Sequence, residues 1–299
     1  MTSDIPLPTV SVIGTGRMGS AIARRLAGHG YRLILWNRTK HRAEDLASEI
    51  NAEIASTPID AIQRANTVFL ALSDDLALYS VISTFRRIDG LVIVNTGTHQ
   101  PFTVSNVKEY VENNGGCYIE SPIIGGPKTV LRGEAILLVA GEQHCVGFTH
   151  SIMEKIGSII YLGNDPRTAQ ALKLSFNLLL INSVNALAES LNLAKAYGVD
   201  KNTVKKILEK TVFSTLASKY IDRMTSDPEK PASFRLKLAA KDLAYAVYAG
   251  FEKYISLPAT AATLEKYLSA VERGLGDADY TRIFWLSHTT SADDKEKDG

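Results

Sequence analysis

The sequence predicts two unlike parts. The first is an α/β domain with a doubly wound parallel sheet over residues 1–163. The second is an all-helical domain over residues 164–299, entered through one long helix. Three observations predict this. Short apolar, β-branched runs alternate with helical stretches through the first half, the pattern of a parallel sheet covered on both faces. Near residue 165 the period changes and stays helical for about thirty residues. A chain of 299 residues also suits two domains better than one.

The elements follow in order. TVSVI (9–13) reads as a strand and residues 17–28 as a helix. RLILW (32–36) is the second strand, followed by a helix over 40–50. AEIAS (52–56), TVFLAL (67–72) and LVIVN (91–95) are further strands, and CYIESPI and AILLVAGE continue the sheet pattern to about residue 142. The long helix is opened by Asp165-Pro166 and closed by Gly198. A helix this apolar predicts burial against another domain or a second subunit, most simply in a homodimer. The tail from about residue 290, SADDKEKDG, is polar enough to predict disorder.

Composition narrows the function. Apolar residues make up 45% and charged residues 22%, ordinary for a globular protein, and the formal charge is +1. No large field favours nucleic acid or an anionic membrane. No apolar run reaches the ~18 residues of a membrane span. The first residues, MTSDIPLPTVSVIG, lack a basic segment before an apolar one, so a cytoplasmic location is expected. Cys117 and Cys145 are expected to be buried free thiols with no metal-ligand spacing. The histidines are scattered and H-E-x-x-H does not occur, so no metal site is expected.

Chemistry first appears in VSVIGTGRMGSAIARRL. Gly14, Gly16 and Gly19 have the G-x-G-x-x-G spacing between a strand and a helix, the context of a Rossmann dinucleotide site. Gly14 allows the tight turn, Gly16 lets backbone approach a pyrophosphate, and Gly19 permits close helix packing. The N–H groups near Arg17 and Met18 then face an anion. About 20 residues further on, an NAD site normally places a carboxylate on the ribose. Here ILWNRTK supplies Asn37, Arg38 and Thr39. A guanidinium and a hydroxyl suit a 2′-phosphate, so NADP is favoured.

In ALKLSFNLLLIN (171–182), Lys173 and Asn177 are four residues apart and share one helix face. A lysine on an apolar helix ordinarily extends its charge to water. The wider sequence points elsewhere. It resembles the β-hydroxyacid dehydrogenases, the group that includes 3-hydroxyisobutyrate dehydrogenase and the short glyoxylate/succinic semialdehyde reductases. The matching blocks, in order, are GTGRMG, WNRT, SPIIGGPKTVLRGEAILLVAGE, Lys173-x-x-x-Asn177, the Lys241-Asp242 pair in FRLKLAAKDLAYA, and LPATAATLEKYLSAVERGLGDADYT. The resemblance implies NADP-dependent interconversion of a carbonyl and its alcohol. It implies Lys173 as general acid/base, with Asn177 hydrogen-bonding the substrate. Thr98 would line the nicotinamide region and Lys241 would reach the cofactor. Ile124, Gly125 and Gly126 would form the substrate loop.

One position departs from that resemblance. The family's loop is typically Asp-Ala-Pro-Val-Ser-Gly-Gly, and this chain has Glu120-Ser121-Pro122-Ile123-Ile124-Gly125-Gly126. Ile124 replaces a serine that would hydrogen-bond a carboxylate, so a larger or less polar substrate is expected. Imine reductases share the architecture and usually lack the lysine, so reduction of C=N is the second enzyme reading. A non-catalytic NADP-binding protein is the third.

Overall fold

The computed structural model describes residues 7–86, 88–226 and 230–287. The polar tail lies outside them. The chain forms two compact units, residues 1–173 and 174–299.

In the first unit six strands form one parallel sheet. They are β1 (Val10–Ile13), β2 (Leu33–Trp36), β3 (Glu53–Ile54), β4 (Thr67–Leu70), β5 (Val92–Asn95) and β6 (Cys117–Glu120), in the order β3-β2-β1-β4-β5-β6. Helices α1 (Arg17–Ala27), α2 (Lys40–Ile50), α3 (Pro58–Gln63), α4 (Asp75–Ile82) and α5 (Pro101–Asn113) make the crossovers. Strand pleating sends alternate residues to opposite faces. Val10, Val12, Leu33, Leu35, Val92 and Val94 enter one core with Ile22 and Leu26 of α1. Ile13, Ile34, Val68, Leu70 and Ile93 enter the other with Leu78 of α4 and Val107 of α5. Both faces are covered, as the near-continuous apolar runs predict. The order reverses between β1 and β4, so the crevice beyond their C-terminal ends is where a doubly wound sheet binds ligands.

Two expectations are corrected in this unit. AILLVAGE does not extend the main sheet. Strands β7 (Ile123–Ile124), β8 (Ala135–Val139) and β9 (Gly157–Tyr161) form a second sheet in the order β7-β8-β9, with β8 antiparallel to β7 and parallel to β9. A single bridge, Glu120 to Ala140, connects it to β6. The chain turns through Pro122, and β8 returns antiparallel after the short helix α6 (Pro127–Arg132), so it pairs with β7. Cys117 and Cys145 are not free thiols either: they form a disulfide. Cys117 opens β6 and Cys145 lies on α7 (Gln143–Ile156), 28 residues on, so only the packed fold brings them together. His144 joins this cluster, with Nε2 3.3 Å from the sulfur of Cys145. The disulfide engages both sulfurs.

Helix α8 (Pro166–Ala196) begins in the first unit and continues into the second, closed by Gly198 at φ +78°. The described remainder is helical: α9 (Lys201–Leu208), α10 (Ser214–Thr225), α11 (Leu236–Glu252), α12 (Pro258–Ala270), a π turn (Val271–Leu275) and a 3₁₀ segment (Tyr280–Ser287). Ile181, Val184, Ala188 and Leu191 of α8 bury one stripe among Ile221, Met224, Leu236, Leu243 and Tyr267. By length and composition α8 could cross a membrane, contrary to the reading that no run is long enough. Its buried stripe makes it a core helix of this unit.

Candidate active site

The glycine turn has the geometry its spacing predicts. Gly14 sits at φ +97°, a left-handed conformation, and a Cβ there would lie 2.5 Å from Ala71 O. A Cβ on Gly19 would lie 1.8 Å from Gly14 O, so any side chain would push α1 off the turn. Gly16 has open space around it and is the N-cap of α1, with no side-chain cap and no acidic residue in the first turn. The N–H groups beginning at exposed Arg17 and half-buried Met18 are thereby left for an anion. The buried Thr15 hydroxyl has no hydrogen-bond partner in this turn. These features fit a dinucleotide pyrophosphate.

Asn37 has a structural role alongside any ligand role. Its Oδ1 accepts from Thr15 N at 3.1 Å and its Nδ2 donates to Thr39 O at 2.9 Å, tying the end of β2 to the glycine turn. Arg38 and Thr39 beside it are exposed and available to a ligand.

Lys173 is only 9% exposed, and its Nζ donates to Ile123 O at 2.8 Å. It does not extend its charge into water. The carbonyl that holds it adjoins Ile124, Gly125 and Gly126. Ile124 is half-buried and packs against Leu138, Ala140 and Ala169, so part of its side chain serves the fold. Gly125 has φ +126°, and a Cβ there would strike the Thr129 hydroxyl, which donates to Gly126 O. Gly125 and Gly126 are exposed. Thr98 is half-buried in the loop after β5.

In the second unit, Asn177 is 5% exposed and donates from Nδ2 to Asp242 Oδ2 at 2.6 Å. Lys241 pairs with the other oxygen of Asp242 at 3.0 Å and lies over the Tyr245 ring. Asn177 follows Lys173 by one turn of α8.

Sequence reasoning missed a buried polar network at the C-terminal ends of β5 and β6. Glu120 is fully buried and accepts from Asn95 Nδ2, Gln170 Nε2 and the Tyr118 hydroxyl. Burial pushes its carboxyl up to about 8, against the pull of those three donors. Asp75 accepts from Thr103 and from the backbone of Gln100, and meets His99 Nδ1 at 3.0 Å. Burial pushes Asp75 up, but these hydrogen bonds outweigh it and its carboxyl ends below the usual range. The visible signal was Asn95 and Glu120, polar residues ending otherwise apolar strands.

Glu120 makes a measurable prediction. Its folded value lies above the ordinary carboxyl value of 4.5, so between about 4.5 and about 8 the folded state holds a proton that the unfolded state has released. Its stabilising contribution is full below that window and is lost as pH rises through it. Urea unfolding of wild type and Glu120→Gln across pH 5–8 should show a steeper decline for wild type. Parallel curves would mean that Glu120 is ionised throughout.

Comparison with known proteins gives the family. Residues 9–163 match the family model for the NAD binding domain of 6-phosphogluconate dehydrogenase. Residues 168–286 match the NAD-binding domain of NADP-dependent 3-hydroxyisobutyrate dehydrogenase. The chain belongs to the β-hydroxyacid dehydrogenase family. It is thus a member of a family of NAD(P)-dependent oxidoreductases. An uncharacterised oxidoreductase of Bacillus subtilis is 29% identical, over 92% of this chain and 98% of its own. Glyoxylate/succinic semialdehyde reductase 1 of Arabidopsis thaliana is 28% identical, over 92% and 96%. Among solved structures, Mycobacterium tuberculosis 3-hydroxyisobutyrate dehydrogenase with L-serine has a TM-score of 0.82 at 18% identity, over 95% of this chain and 100% of that one. An imine reductase variant from Myxococcus stipitatus has 0.64 at 22% identity, over 93% and 98%. Those two likenesses concern the fold.

Proposed function

We propose that the protein is an NADP-dependent oxidoreductase that interconverts a carbonyl, an aldehyde or keto acid, with its alcohol. The observation that carries this reading is the burial of Lys173, held by its ammonium on Ile123 O beside the substrate loop. A nicotinamide held at the glycine turn would supply or accept the hydride. As negative charge builds on the substrate oxygen, the Lys173 ammonium donates its proton there, and in oxidation the amine takes the proton back. The Asn177 amide donates a second hydrogen bond to the same oxygen. Lys241 and Thr98 hold the cofactor, as their matches to the family imply. Ile124 leaves the loop without a hydroxyl donor, so the substrates expected are less polar than a small hydroxyacid. Retention of Lys173 favours C=O over C=N.

NADP is favoured over NAD by Arg38 and Thr39, exposed after β2 where a carboxylate would otherwise stand. The test is oxidation of NADPH and NADH with aldehydes, keto acids and a cyclic imine. Wild type should prefer NADPH. Arg38→Ala should raise KM for NADPH ~10- to 100-fold, the loss of a charge-assisted hydrogen bond, and leave KM for NADH unchanged. Equal use of both cofactors by wild type would refute the Arg38 assignment. Turnover of the imine alone would favour the C=N reading, and cofactor binding without any turnover the non-catalytic one.

A homodimer is supported by Leu172, Phe176, Leu179 and Leu193, exposed apolar residues at near-heptad spacing along α8. Light-scattering mass in solution decides it.

A further inference from the structure

We propose that Gln170 is a positioning residue: its buried side-chain amide fixes the turn of α8 that carries Lys173 to the loop that carries Thr98 and to the end of β6. The proposal rests on Lys173 being the general acid.

The geometry is specific. Gln170 is fully buried and precedes Lys173 by three residues, on the same face of α8. Its Oε1 accepts from His99 N at 3.1 Å. Its Nε2 donates to Gly97 O at 2.9 Å and to Glu120 Oε1 at 2.7 Å. Both amide hydrogens and the oxygen are engaged, each on a different backbone or side-chain group. Gly97 and His99 flank Thr98. Glu120 ends β6, three residues before Ile123, whose carbonyl holds the Lys173 ammonium. One side chain therefore ties together the segments bearing Thr98, the substrate loop and the lysine.

Both anchors are themselves braced, so the clamp is stiff. His99 is held by Asp75, which Thr103 and Gln100 also hold. Glu120 is held by Asn95 and Tyr118. The loop has no slack at Gly97, where a Cβ would meet the His99 ring at 2.3 Å and Leu72 O at 2.7 Å. The side chain must offer one acceptor and two donors at glutamine's length. A glutamate would face Gly97 O with an acceptor, and would keep a hydrogen bond to the Glu120 carboxyl only while one of the two carboxyls holds a proton; restoring the bond to Gly97 O as well takes a second proton. The titratable groups around that position are Glu120, Tyr118, Asp75 and His99, with Lys173 one turn further along α8.

A double-mutant cycle tests this with purified full-length protein, NADPH and the best carbonyl substrate. Gln170→Ala should lower kcat ~10- to 100-fold, as a displacement of about 1 Å does, while KM for NADPH changes less than about 3-fold. In the Lys173→Ala background the same change should cost less than about 3-fold, because its effect passes through the lysine. Gln170→Glu should regain rate relative to Gln170→Ala as pH falls from 8 to 5.5. Circular dichroism establishes that each variant is folded, and Gln170→Met replaces Gln170→Ala if the latter is not. An impaired Lys173→Ala with an unimpaired or fully additive Gln170 variant overturns the proposal alone. An unimpaired Lys173→Ala overturns the reading of Lys173 and this proposal with it.

Discussion

Replacing Lys173 with alanine should lower kcat for carbonyl reduction by ~10²- to 10⁴-fold, the usual cost of removing a positioned general acid. The effect should fall on kcat and kcat/KM together, because in the proposed mechanism the proton is shared with substrate oxygen only in the transition state. NADPH binding, followed by its fluorescence, should not change. Two further variants isolate the proton from the charge. Lys173→Arg keeps a cation but cannot release a proton near neutral pH, so it should remain impaired. A small primary amine added to Lys173→Ala should restore part of the rate. The alternative is a structural ammonium whose work is done by its bond to Ile123 O. That role predicts loss of stability with near-normal kcat in the folded fraction, and no response to amine. A full-rate Lys173→Ala would move the chemistry elsewhere and remove the main argument for C=O over C=N.

The parts of this molecule legible in the sequence are those where local chemistry and packing agree. Val10–Ile13 followed by Gly14, Gly16 and Gly19 leaves little choice: Gly14 and Gly19 answer steric demands that the structure contains, at Ala71 O and at Gly14 O, and Gly16 leaves the start of α1 open. The long helix was legible from its period and its stop at Gly198. The second sheet was not. AILLV is as apolar as the other strands, and nothing local states that it pairs with Ile123–Ile124 rather than with β6. The Glu120 network was illegible for the same reason. Glu120, Gln170, His99 and Asp75 are far apart in sequence, and their meeting depends on the strand order and the crossovers together. Asn37 shows a subtler limit. Its place predicted a cofactor contact, yet its amide is also used to tie the glycine turn to β2.

Cys117 and Cys145 test that limit with a large expected effect. The bond closes a segment of 28 residues, for which loop-closure entropy predicts ~3.6 kcal/mol of stabilisation of the first unit. These are the chain's two cysteines, so a reductant has no other disulfide to act on. Cys117 is half-buried and His144 exposed, whereas Cys145 is buried, so reductant should reach the pair from the Cys117 side. The enclosed segment contains the end of β6, the Ile124–Gly126 loop, α6 and β8. Reduction, or the Cys117→Ser/Cys145→Ser double variant, should therefore raise amide exchange first across residues 118–144. It should lower the urea midpoint of the first unit while the second unfolds as before. Protein isolated under non-reducing conditions and treated with an alkylating agent should gain no label. Two labelled thiols in that experiment would restore the expectation of free cysteines, and the first unit would then have to hold its Ile124–Gly126 loop by packing and by the Glu120 network alone.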